Sequence, residues 1–167
     1  MDEIVNRVAA SALVTLDLDK LYRNGPRAVL DIAPALENGL LLREKSFREF
    51  VQKLDAGFYQ GKFVAVTCSV DALIPAWAWM LVTSALEPVA AYVSLGTLEN
   101  LEECLLLDAL DAVDWQQYRD AKVLVKGCSN VEVPPSVYAE ATRRLRPMAQ
   151  SIMYGEACSA VPVFKRK

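Results

Sequence analysis

Lys62-Phe-Val-Ala-Val-Thr-Cys68-Ser69 and Lys122-Val-Leu-Val-Lys-Gly-Cys128-Ser129 are the stretches on which the fold turns. Each is a short, nearly continuous apolar run rich in β-branched residues, the pattern of a strand buried on both faces of a parallel sheet. Each ends in a Cys-Ser pair, at positions 68 and 128, 60 apart. The echo continues downstream. Leu86-Glu-Pro88-Val-Ala90 is matched by Leu145-Arg-Pro147-Met-Ala149, and Gly96 by Gly155, now 59 apart, so one residue is lost between the strand and the second anchor. A third pair, Cys158-Ser159, follows the second glycine.

Between the matched strands lie helical stretches. Pro75 suits a first helical turn, and Pro88 forbids continuation past it. The second copy runs from Pro134 to Arg146 and stops at Pro147. Further strands are predicted over Val89–Leu95 and Ala149–Tyr154. Thr97 should cap a helix whose Leu98, Leu101, Cys104, Leu105 and Ala109 share a face, which makes Cys104 a core residue. Strand, helix and strand in alternation predict an α/β fold. It consists of two pseudo-repeated βαβ units in one largely parallel sheet, the first over residues 58–117 and the second over 118–167.

Residues 1–57 read as an N-terminal β-rich section and a helix. Ala12 to Leu18 alternate as a strand, and Asn24-Gly25-Pro26 marks a turn before a second strand from Ala28 to Ile32. After the Asn38-Gly39 turn, Leu40-Leu41-Leu42 makes a third, giving a short antiparallel opening. Ser46-Phe-Arg-Glu49 has the form of a capping box, which starts a helix running to about Asp55.

The whole chain, 167 residues, suits a single domain able to bury a core without staples. Its 53% hydrophobic and 23% charged residues are too apolar for disorder. A net charge of −3 offers no positive field to attract nucleic acid or an anionic membrane. The one basic run, Lys165-Arg166-Lys167, reads as a solvated tail. No apolar stretch approaches a membrane span, and Met1-Asp2-Glu3 opens acidic, unlike a signal peptide. The reading is a cytoplasmic protein. In that compartment four cysteines point to packing, metal binding or redox chemistry before disulfides.

Histidine is absent, which removes a Ser-His-Asp triad, a Cys-His dyad and histidine-ligated zinc. A metal would therefore need thiolates and carboxylates. In open α/β sheets sites form at the carboxyl ends of strands, where Cys68 and Cys128 fall, each before a helix whose dipole favours thiolate. Cys158 completes a set of three, and Asp71, Glu132 and Glu156 lie close in sequence as further ligands. This set would hold zinc or an iron–sulfur species. The rival readings are a thiol–disulfide pair of Cys68 and Cys128, and a binding or scaffold protein whose cysteines are small buried hydrophobes. Trp77, Trp79 and Tyr92 read as core packing. Arg143, Arg144 and Arg146 form a basic patch complementing a helix end. A single glycine in Val125-Lys-Gly-Cys128 leaves nucleotide binding unsupported.

Four segments together resemble a known family: Leu42-Arg-Glu-Lys-Ser-Phe-Arg-Glu-Phe50, Tyr59-Gln-Gly-Lys-Phe-Val-Ala-Val-Thr-Cys-Ser69, Val125-Lys-Gly-Cys-Ser129, and Arg146-Pro-Met-Ala-Gln-Ser-Ile-Met-Tyr-Gly-Glu-Ala-Cys-Ser159. The chain is similar, over nearly its whole length, to the bacterial domain-of-unknown-function family 2480. The resemblance brings no established activity. The family's setting beside iron–sulfur assembly genes implies iron–sulfur assembly proteins as partners, and an accessory or carrier role for a thiolate metal site.

Overall fold

The β-branched run Phe63–Thr67 is buried along almost its entire length, and Lys122–Lys126 is buried from Val123 to Val125. A strand apolar on both faces needs a neighbour on each edge and cover above and below. The structure, a computed structural model describing residues 13–167, meets that need twice. In chain order its elements are β1 (Leu13–Asp17), β2 (Arg27–Asp31), α1 (Glu44–Gln52), α2 (Ala56–Tyr59), β3 (Phe63–Thr67), α3 (Ala76–Leu86), β4 (Tyr92–Leu95), α4 (Leu98–Asp111), β5 (Lys122–Lys126), α5 (Pro135–Leu145), β6 (Ser151–Tyr154) and β7 (Val161–Lys165). The acidic opening Met1-Asp2-Glu3 and Ala12, the first residue of the predicted strand, lie outside the described residues.

The fold is α/β with parallel pairing, as expected, but the repeats build two sheets rather than one. One has the order β2-β3-β4, all parallel; the other has the order β1-β5-β6-β7, with only β7 antiparallel. Contacts divide the chain accordingly into a mid-chain unit, Asn24–Cys104, and a terminal unit, residues 13–23 with Leu105–Lys167. The predicted antiparallel opening is corrected. β1 runs parallel to β5 with Leu13 opposite Lys122, and β2 parallel to β3 with Arg27 opposite Phe63. The physical reason is the demand of β3 and β5 for a partner on each edge. Each repeat recruits one N-terminal strand, whose inward residue, Leu16 or Leu30, joins that repeat's own core together with Leu18 or Ile32 just past the strand's end.

Three local readings also change. Leu40–Leu42 forms no strand: left-handed Asn38 (φ 53°) and Gly39 (φ 69°) turn the chain back on itself, leaving one bridge between Glu37 and Leu41. α1 starts at Glu44 rather than at a Ser46 cap, because the Phe47 amide already donates to the Arg43 carbonyl (3.0 Å). It ends at Gln52, and Asp55 caps α2 instead, accepting from the Phe58 amide (3.3 Å). β7 is missed by the sequence reading. Its Pro162 argues against a strand, yet an outer edge strand tolerates proline, and β7 pairs only with β6.

The two units match position by position at a spacing of 59. Asp55 and Asp114 cap equivalent turns. Buried Tyr59 matches Tyr118, Val64 matches Val123, and Val66 matches Val125. Ala78, Val82 and Leu86 on α3 match Val137, Ala141 and Leu145 on α5, all fully buried. Backbone bonds repeat as well. Gly61 donates to Val89 as Asp120 does to Met148, and Gly96 to Val66 as Gly155 does to Val125. Gly96 and Gly155 share φ values of 112° and 113°, open to glycine alone without strain. The strands therefore align Phe63 with Lys122, and the cysteines are 60 apart because Gly127 is one extra residue in the second loop. No helix among the described residues is long and apolar enough to cross a membrane.

Candidate functional site

An aspartate at or just past the end of β1 or β2 receives each Cys-Ser loop. In the mid-chain unit the Ser69 amide donates to Asp31 Oδ1 (3.0 Å) and the Ser69 hydroxyl to Asp31 Oδ2 (2.6 Å). Asp31 Oδ1 also accepts from the Ala33 amide (3.0 Å). In the terminal unit Asp19 Oδ1 accepts from the Ser129 amide (2.9 Å), the Ser129 hydroxyl (3.0 Å), the Asn130 side chain (2.9 Å) and the Cys128 thiol (3.1 Å). The register makes Asp17 the counterpart of Asp31, since they lie opposite Lys126 and Thr67. With Gly127 added to the loop, the acceptor moves from that position to Asp19. Each serine thus ties the loop after a central strand to the parallel strand beside it.

These bonds act on charge. The Cys128 thiol, then the Ser129 amide and hydroxyl, hold Asp19 down at about 2, against the opposing effect of partial burial. For Asp31 burial raises the value, and the bonds from Ser69 and Ala33 outweigh it, leaving a net lowering. Both carboxylates are anions at neutral pH.

The predicted ligand residues fall as follows. Cys68 is half-buried in the mid-chain unit, its thiol directed at the Val70 carbonyl (3.4 Å), and it lines a cavity of about 410 Å³ with Asp71, Leu73 and Trp79. Cys128 and Glu156 share a cavity of about 350 Å³ in the terminal unit with Asp17, Asp19 and Lys126. There Glu156 pairs with Lys126 (3.3 Å). Glu132 and Cys158 are exposed, and neither lines that cavity. The structure therefore brings Cys128 near Glu156 and places Cys68 with Asp71 in the other unit. Among the described residues no group of three or more Cys, Asp or Glu side chains could hold a metal ion. Cys104, expected in the core, is half-buried on α4. Trp77 and Trp79 pack on the mid-chain core, Trp77 edge-on to Phe47 at 5.8 Å between centroids.

The larger concavity lies elsewhere. A groove of about 780 Å³ runs along α5 in the terminal unit, walled by Tyr138 and Thr142 on the helix, Met153 and Tyr154 on β6, and Val161 and Val163 on β7, with Arg143 and Arg146 on its rim. Val161 is 58% exposed and Val163 53%. Tyr138 sets one end. Its ring meets Tyr154 edge-on at 5.4 Å, and its hydroxyl stands where a side chain on Gly127 would begin, 2.9 Å from an ideal Cβ. Burial, then the hydrogen bond with Tyr154, pushes the Tyr138 phenol up to about 12, so it stays neutral.

The mid-chain unit carries the same face at the spacing of 59. Trp79, Met80, Thr83, Ser84, Glu87 and Leu95 line a shallower concavity of about 440 Å³, and they stand where Tyr138, Ala139, Thr142, Arg143, Arg146 and Tyr154 stand. What differs is β7, which extends one wall in the terminal unit only. The sequence reading misses both the aspartates and the groove. The signal for the first is an aspartate at the end of each N-terminal strand; for the second it is the alternation of Val161 and Val163.

A family model described as a protein of unknown function (DUF2480) matches residues 2–166. No curated protein and no solved structure matches the chain.

Proposed function

The chain belongs to the DUF2480 family of proteins of unknown function, and from that premise we propose that it is a binding protein that takes an apolar small molecule in the groove between α5 and the β6-β7 hairpin. The observation that carries this reading is the groove itself. Its volume of about 780 Å³ lies within the range of roughly 300–1,000 Å³ typical of small-molecule sites. Its walls are aromatic and aliphatic, with few polar groups, as in such sites. Exposed Val161, Val163 and Tyr154 form an apolar surface that a ligand would cover.

Neither Asp19 nor Tyr138 is poised as a general acid or base at neutral pH. Asp19 is held well below neutrality and Tyr138 well above it, whereas a general acid or base works best near the operating pH. The zinc or iron–sulfur carrier and the thiol–disulfide pair are the competing readings. The hydrogen bonds made by the Cys68 and Cys128 thiols support a structural part for both cysteines, Cys68 within its own loop and Cys128 to Asp19 of the same unit.

The test is calorimetric titration with 1-octanol of the intact protein and of Val163→Lys, a change at an exposed wall position on the outer strand β7, with circular dichroism checking that the variant is folded. Saturable binding by the parent, lost in the variant, is expected. Absence of binding, or equal binding by both, overturns the groove reading. Self-association that competes with octanol would assign the groove to a second copy and overturn it too.

A further inference from the structure

Resting on the groove reading, we infer that the ligand is an amphipathic anion whose charged end is held by Arg146. Three arginines cluster at the end of α5, and they are not equivalent. Arg143 and Arg144 both pair with Glu140, at 2.7 and 2.6 Å, and Arg144 reaches Asp111 as well. Arg146 instead stacks over Phe164, its guanidinium carbon 3.8 Å from the ring centroid. No carboxylate among the described residues pairs with it. A stacked guanidinium keeps its in-plane N–H donors free for an oxyanion, and Arg146 lines the groove.

The other end is apolar and neutral. Tyr138 and Arg146 are eight positions apart, which is about 12 Å along a helix. A head at Arg146 would thus leave an alkyl or aryl tail lying over Met153 and Val163 toward the neutral Tyr138. The mid-chain unit supplies an internal contrast. There Glu87 stands in the place of Arg146 and Ser84 in that of Arg143, so the equivalent face would repel the same head. The C-terminal end of α5 is the negative end of its dipole and Arg146 is exposed, which keeps the preference for an anion modest.

The experiment compares 1-octanol with octanoate at neutral pH and low salt, on the full chain and on Arg146→Met. Octanoate should bind the parent about fivefold more tightly than octanol, the scale of an exposed ion pair. Arg146→Met should lose that preference, its ratio of octanoate to octanol affinity falling about fivefold relative to the parent. Equal affinities in the parent, or a preference that survives in Arg146→Met, overturn the anion assignment while leaving the groove reading standing. Failure of both probes to bind overturns both. Cosedimentation with anionic vesicles without binding of monomeric octanoate would assign the head group to a lipid surface and overturn the free-ligand inference.

Discussion

Ser69 and Asp31 are joined twice, amide to Oδ1 at 3.0 Å and hydroxyl to Oδ2 at 2.6 Å, and the pair recurs as Ser129 and Asp19. The repeated Cys-Ser motif thereby acquires a role that belongs to its serine. The loop after each central strand is fastened to its parallel neighbour, where no turn of the chain could do so.

Ser69→Ala removes the hydroxyl bond and leaves the amide bond. It should lower stability by about 0.5–1 kcal/mol, the range for a hydrogen bond to a partly exposed carboxylate. Urea unfolding measures it. An unchanged midpoint would mean that the bond contributes nothing.

Acid should loosen the same fastening. Asp19 lies near 2 in the folded chain, below its ordinary 3.8, and Asp31 is lowered too. A depressed carboxylate contributes stability that is fully present above its unfolded value and lost as pH falls through the folded one. The unfolding midpoint should therefore fall from about pH 4 toward pH 2, and fall less in Asp19→Asn. Identical pH profiles for parent and variant would refute the assignment.

The strands, the crossover helices and their proline boundaries were legible because each obeys a local rule: β-branched runs, Pro75 and Pro134 at helix starts, Pro88 and Pro147 past helix ends. The number of sheets was not. Whether β1 pairs with β2 or with β5 is decided by the unmet edges of strands more than a hundred positions away. Cys68 and Cys128 were legible as loop residues, but their company was not, since the partner of Cys128 is Asp19, just past the end of β1. The groove escaped notice because β7 makes its wall, and Pro162 masks the alternation of Val161 and Val163.

Gly127 leaves room for the Tyr138 hydroxyl, which stands 2.9 Å from where a Cβ would be. Gly127→Ala, in a half-buried loop against the tip of one side chain, should cost up to about 1 kcal/mol, and Tyr138→Phe in the same chain should recover most of it. Thermal unfolding of the two single variants and the double variant gives the coupling. Additive losses would show that the two positions do not meet.

Thiol accessibility separates the cysteines. Cys158 is exposed and the other three are half-buried, so Cys158 should react first with an aromatic disulfide reagent. Anaerobic preparation without chelator should yield zinc and iron well below one per chain. Stoichiometric metal that disappears in Cys128→Ser would instead support the thiolate carrier.

The most direct measurement is a methyl NMR titration of the full chain with 1-octanol, following Met153, Val161 and Val163 beside Met80 and Leu95. Binding in the α5 groove predicts saturable shifts at the first three, with Met80 and Leu95 unmoved. Shifts confined to Met80 and Leu95, or none that saturate, would contradict it.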